Sequence, residues 1–78
     1  MRKKSLKCIV TFQTTTQAMA FEMLCKKKDI PGRLIPVPKE LTTGCGLAWC
    51  VEEKFTELIK KMILNEKLQI DKIHEIMH

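Results

Sequence analysis

The chain places a cysteine between two glycines, Gly44-Cys45-Gly46, inside the stretch Thr42-Thr43-Gly44-Cys45-Gly46-Leu47-Ala48-Trp49-Cys50. That stretch holds two of the three glycines, two of the four cysteines and the only tryptophan. Flanking glycines leave a side chain with little cover and a backbone free of Cβ crowding. A thiol so placed offers nucleophilic chemistry, because its thiolate can attack, hold and pass on a group. Cys50 follows five positions later. Along one extended strand that separation exceeds the reach of a disulfide, so a redox pair is the poorer reading. The two histidines, His74 and His78, stand at the far end of the chain. A Cys–His hydrolytic arrangement is therefore unsupported, and a thiol that accepts or transfers a group without hydrolysis fits better. The gaps separating Cys8, Cys25, Cys45 and Cys50 contain no C-x-x-C. That spacing argues against zinc, and no cofactor is expected.

Size limits what can stand around such a thiol. Seventy-eight residues make a single small domain with a modest core, for which dimerisation is one source of added stability. The formal charge is +5, with Arg2, Lys3, Lys4 and Lys7 forming one basic cluster and Lys26-Lys27-Lys28 another. Residues 1–5 read as a basic tail on a domain spanning 1–78. The plain reading of these clusters is a solvated tail and a basic helix end; the functional one is attraction of an anion or an acidic partner. With no tyrosine and few, scattered aromatics, the chain shows no stacking platform, which argues against nucleic acid. No apolar h-region follows the early basic residues, and no apolar run approaches a transmembrane span. The expectation is a cytoplasmic protein, off the membrane, with reduced thiols.

The elements follow from periodicity. Leu6 to Phe12 reads as a central strand, with Cys8 packed inside it. Thr14-Thr15-Thr16-Gln17 fits a capping box, and the helix it opens runs to about Lys28. Its buried face is Ala18, Phe21, Leu24 and Cys25, broadened by Met19, Ala20 and Met23. Asp29-Ile30-Pro31-Gly32 stops that helix, and Arg33 to Pro38 follows as an extended segment. Its prolines cannot donate to a ladder, so it belongs at a sheet edge. Lys39 to Gly44 reads as a polar connection and Leu47 to Val51 as a strand, with Cys50 in the core. Phe55, Leu58, Ile59, Met62 and Ile63 make the clearest helical stripe; Ile70, Ile73 and Ile76 also have helical spacing, but alternation, β-branched content and the need for a partner strand favour a last strand there.

Strand, helix, strand, strand, helix, strand is the α+β, ferredoxin-like βαββαβ order. It gives a four-stranded antiparallel sheet of order 4-1-3-2 with two helices on one face. The proline-bearing second strand then falls on an edge, as its prolines require. The same topology brings Cys45 to the end of the sheet where the first helix begins. The N–H groups around Thr14, Thr15 and Thr16 carry the positive end of that helix dipole, a setting that raises the thiolate fraction of a nearby cysteine. Gly44 and Gly46 would leave their own N–H groups accessible as a small anion nest. Arg33 and Lys39 would add positive potential.

Several segments carry a family likeness: Phe12-Gln13-Thr14-Thr15 before Ala18, Ile30-Pro31-Gly32-Arg33-Leu34-Ile35-Pro36-Val37-Pro38-Lys39, and Gly44-Cys45-Gly46-Leu47-Ala48. Over nearly its whole length the chain resembles the small selenium/sulfur carrier-like proteins. The resemblance implies that Cys45 holds a persulfide or selenosulfide and passes it to a partner such as a cysteine desulfurase or a selenium-utilising enzyme. The Cys-Pro pair of better-known sulfur carriers is absent. The expected function is thus that of a carrier rather than an enzyme. The rival expectation is a ferredoxin-like interaction or ligand-sensing module without covalent chemistry, and a thiol redox sensor is a third.

Overall fold

The computed structural model describes residues 5–41 and 45–78. Its elements run β1 (Leu6–Thr11), α1 (Thr15–Lys27), β2 (Arg33–Pro36), β3 (Leu47–Glu52), a 3-10 turn (Glu53–Phe55), α2 (Thr56–Glu66) and β4 (Lys72–Met77). One antiparallel sheet has the order β2-β3-β1-β4, which is the expected 4-1-3-2 read from the other edge. The element order fits the ferredoxin-like arrangement. Pro36 does fall on the edge strand β2, and Pro38 lies two residues past its end. The basic residues Arg2, Lys3 and Lys4 of the expected tail lie outside the described residues. Among the described residues no helix is long and apolar enough to cross a membrane.

Alternation along the strands divides the sheet into two faces. Cys8, Val10, Trp49 and Val51 join Ala18, Phe21 and Cys25 of α1 and Ile59 and Met62 of α2 in the main core. Both helices therefore cover one face. Phe21 sits at the centre, its ring 5.3 Å from that of Phe12 and 5.7 Å from that of Trp49, in the tilted and edge-on geometries that aromatic quadrupoles favour. The other face carries its own cluster of Ile9, Ile35, Ala48 and Cys50, against which Val37, Leu41 and Ile76 pack. The connection after β2, read as polar, thus lends Leu41 to this second cluster.

Two details fix where the chain turns. Thr11, fully buried, accepts from the Lys72 N–H at 3.1 Å, with its own hydroxyl proton shared between the Asp71 carboxylate at 3.2 Å and the Lys72 carbonyl at 3.3 Å. Those bonds pin the start of β4 to the end of β1. Both helices end on a residue in left-handed conformation, Asp29 (φ 57°) and Lys67 (φ 52°). In each case the next amide bonds five residues back, Ile30 to Cys25 at 2.8 Å and Leu68 to Ile63 at 3.1 Å, and an apolar side chain follows. The stop of α1 is therefore made at Asp29, the first residue of the expected Asp29-Ile30-Pro31-Gly32 stop.

The apolar stripe of α1 differs from expectation. Ala18, Phe21 and Cys25 are buried, but Met19 is 56% exposed and Met23 70% exposed, and Ala20 is exposed as well. Successive helical positions turn through 100°, which carries Met19 and Met23 to the side away from the sheet. Leu58 of α2 also faces outward.

Candidate functional site

The head of β3 is where the sequence placed its chemistry, and the ladder shows what surrounds it. β1 and β3 pair from Lys7 with Glu52 to Thr11 with Ala48. Cys45 precedes β3 and α1 follows β1 at the end of the ladder marked by the Thr11–Ala48 pair, so Cys45 and the start of α1 share one end of the sheet. β2 and β3 pair from Arg33 with Cys50 to Pro36 with Leu47, and the Val37 N–H donates to the Gly46 carbonyl at 2.9 Å. Cys45 is therefore the residue just inside the loop that this hairpin closes.

Its side chain is half-buried and packs against the main core, on the helix side of the sheet. The sulfur is held by the backbone two residues on. The Leu47 N–H donates to Cys45 Sγ at 3.4 Å, and Sγ lies 3.4 Å from the Leu47 carbonyl, to which a thiol proton donates. A neutral thiol and an anionic sulfur each find a backbone partner here. The arrangement is the sulfur counterpart of an Asx turn, in which a short side chain accepts from the amide two residues ahead. It depends on Gly46, whose φ of 75° turns the chain back on itself. A Cβ at Gly46 would meet nothing within 4 Å, so the glycine is there for its conformation rather than for space.

The Leu47 amide was not among the sequence-predicted groups. The signal that could have found it is a Cys-Gly pair opening a strand, because a left-handed glycine aims the following amide backwards. Thr14 acts as the N-cap of α1, its hydroxyl accepting from the Gln17 N–H at 3.2 Å. Gln17 Oε1 in turn accepts from the Gln13 N–H at 3.0 Å, one residue earlier than a capping box requires. Thr15 and Thr16 follow, both exposed, in the first turn of the helix. Gly44, expected to contribute to an anion nest, lies outside the described residues. Arg33 is not brought to Cys45. It pairs with Cys50 in the ladder, a full strand length away, and Cys50 belongs to the cluster on the opposite face.

The other three cysteines are buried, and none of the four forms a disulfide. Burial pushes the Cys25 thiol up to about 12. It also raises Cys8, against a hydrogen bond from Thr56 that works the other way. Cys50 is raised by burial too, despite the nearby charges of Lys7 and Arg33. Cys45 and Cys50 lie on opposite faces of the sheet, which removes the geometry for a disulfide.

These observations define a small α+β domain with one half-buried cysteine in a backbone-bonded turn at the head of an inner strand. The family model described as "Putative Se/S carrier protein-like" matches residues 7–75, and the chain belongs to that family. Comparison with curated proteins and with solved structures gives no match.

Proposed function

We propose that this protein is a sulfur or selenium carrier that holds a persulfide or selenosulfide on Cys45 and hands it to a partner enzyme. The observation that carries this reading is the contrast in cover: Cys45 is half-buried in a turn while Cys8, Cys25 and Cys50 are buried in the two clusters. Family membership supplies the element carried.

Loading is a sulfane transfer. The Cys45 thiolate attacks the outer sulfur or selenium of a donor persulfide or selenosulfide. The donor's S–S or S–Se bond breaks, its thiolate leaves, and the new bond forms on Cys45 Sγ with no net oxidation. Release repeats the step with an acceptor nucleophile. The Leu47 amide donates to the sulfur that becomes the inner atom of the adduct, while the exposed start of α1 at Thr14, Thr15 and Thr16 and the N–H of Gly46 favour its outer, anionic end. Gly44 belongs to this proposal as a further amide. The donor and acceptor in this reading are a cysteine desulfurase or a selenium-utilising enzyme in the cytoplasm. The work is that of a carrier, with no turnover of its own and no cofactor.

The rival, a non-catalytic interaction module acting alone or as a homodimer, draws on the exposed apolar side of α1. The deciding experiment exposes the protein to polysulfide and, separately, to selenodiglutathione, and locates adducts by mass spectrometry. The carrier reading expects adducts on Cys45, none on the other cysteines, and none in Cys45→Ser. Adducts spread over all four cysteines, or retained in Cys45→Ser, would remove Cys45 from the centre.

A further inference from the structure

Helix α1 carries a second stripe whose Ala20 and Met23 stand outside the core, while Leu24 packs partly against it. Ala20, Met23, Leu24 and Lys27 recur at the i, i+3, i+4, i+7 spacing and line an open groove of about 370 Å3, closed on its other side by Leu68 from the segment after α2. Met23, one of its apolar walls, is 70% exposed. An amphipathic helix serving only its own core would be polar here. Flexible methionine is the side chain that docking surfaces use to fit a partner.

The charge around the groove is one-sided. Lys26 is tied to Glu22 at 3.9 Å and Lys28 to Glu66 at 3.4 Å. Lys27, in the lining, and Lys67, beside Leu68, make no ion pair among the described residues. Glu22 is the only acid on α1, and it is already engaged. A second copy of this helix would bring apolar surface but no unpaired acid for Lys27, and each chain carries a net charge of +5.

We propose that the outer stripe of α1 is a docking groove for an amphipathic helix of a partner protein whose apolar face is flanked by glutamate or aspartate. The stripe from Ala20 to Lys27 is two helical turns long, a length of about 10 Å that a short partner helix laid along α1 would match. Apolar anchors of the partner would sit against Met23 and Leu24, and its acids would meet Lys27 and Lys67. The stripe lies toward the C-terminal end of α1, whereas Cys45 lies at the end where α1 begins. A docked helix would leave the thiol uncovered. The inference does not rest on the carrier reading, since it needs no chemistry at Cys45.

The test uses the full chain and two fluorescein-labelled helical peptides with the same leucine face, one flanked by glutamates and one by lysines, read by fluorescence anisotropy. The acidic peptide is expected to bind saturably, at least about tenfold tighter than its basic twin, with affinity falling as salt rises. Met23→Glu should abolish that binding, and Lys27→Glu should weaken the acidic peptide while improving the basic one. Both positions are exposed, and far-UV circular dichroism checks that the variants stay folded. Equal binding of the twins, no binding of either, or indifference to Lys27→Glu overturns the proposal. So does a wild-type dimer in sedimentation that Met23→Glu splits, which would make the occupant a second copy.

Discussion

One strand, β3, carries a cysteine in its body and has another at its threshold, and the two have little in common. Cys50 is fixed by sheet alternation: paired across to Ile9 and Arg33, it is 8% exposed in the cluster away from the helices. Cys45 is fixed by a backbone turn. It lies just outside the ladder, faces the helix side, and is bonded by the amide of Leu47 through the left-handed Gly46. Arg33 and Lys7 act on Cys50, the buried thiol, and burial outweighs them. Cover separates Cys45 from the buried cysteines.

The largest expected effect tests that statement directly. In the folded protein, iodoacetamide should modify Cys45 at least about a hundredfold faster than Cys8, Cys25 or Cys50, because the buried three react only through opening of the structure. Peptide mapping after timed quenching gives the four rates. A Cys50 rate close to that of Cys45 would break the comparison.

The two described glycines with positive φ give the next effect. Gly32 has φ 126°, and a Cβ there would lie 2.5 Å from Trp49 Nε1 and 2.9 Å from the Cys50 carbonyl. Neither the packed indole nor the backbone can withdraw, so Gly32→Ala should cost about 2 kcal/mol or more in urea unfolding. Gly46→Ala meets no atom and should cost only the left-handed strain, about 1 kcal/mol. Its signature is instead chemical: the Leu47 amide swings off Sγ, and the alkylation rate of Cys45 changes while the core holds. Equal losses of stability at the two positions would mean that the turn is as tightly packed as the core.

Much of this architecture was legible in the sequence. Apolar runs and period-3.6 stripes marked β1, β3 and both helices, the prolines after Gly32 could sit only at an edge, and the last strand rested on its β-branched content, because Ile70, Ile73 and Ile76 also fit helical spacing. The direction of the apolar residues on α1 was not legible. That helix is apolar on two sides, and spacing alone does not say which stripe meets the sheet, so Met19, Ala20 and Met23 were assigned inward and lie outward. Leu41 was hidden for a different reason, being a single apolar residue in a polar connection whose partners come from distant strands. At the candidate site, Cys45 stood out by its glycine neighbours. Its bond to Leu47 depends on the φ of Gly46, which composition does not record.

Alkaline pH sharpens the contrast between core and turn through the fully buried Cys25. Cys25 is raised from 9.0 to about 12 by burial. The unfolded chain therefore releases this proton before the folded one does. The stability tied to the neutral thiol is complete below pH 9.0 and is lost progressively as pH rises towards about 12. Stability measured by urea at a series of pH values should fall across that window, and Cys25→Ala, destabilised at every pH by its cavity, should fall less steeply. An unchanged slope in that variant would show that Cys25 is not what the folded state keeps protonated.

The smallest effect belongs to Cys45, the residue on which the proposed chemistry depends. Cys45→Ser replaces a half-buried sulfur with an oxygen that can accept from the Leu47 amide and donate to the Leu47 carbonyl in the same turn. Nothing in the main core moves, and Gly46 keeps its conformation. The unfolding midpoint should therefore stay within about 0.5 kcal/mol of the wild type. At the buried positions the same exchange puts a hydroxyl among apolar neighbours, so Cys25→Ser should cost about 1–3 kcal/mol. A Cys45→Ser loss as large as that at Cys25 would place Cys45 with the core cysteines, and the separation of chemistry from scaffold at the head of β3 would not stand.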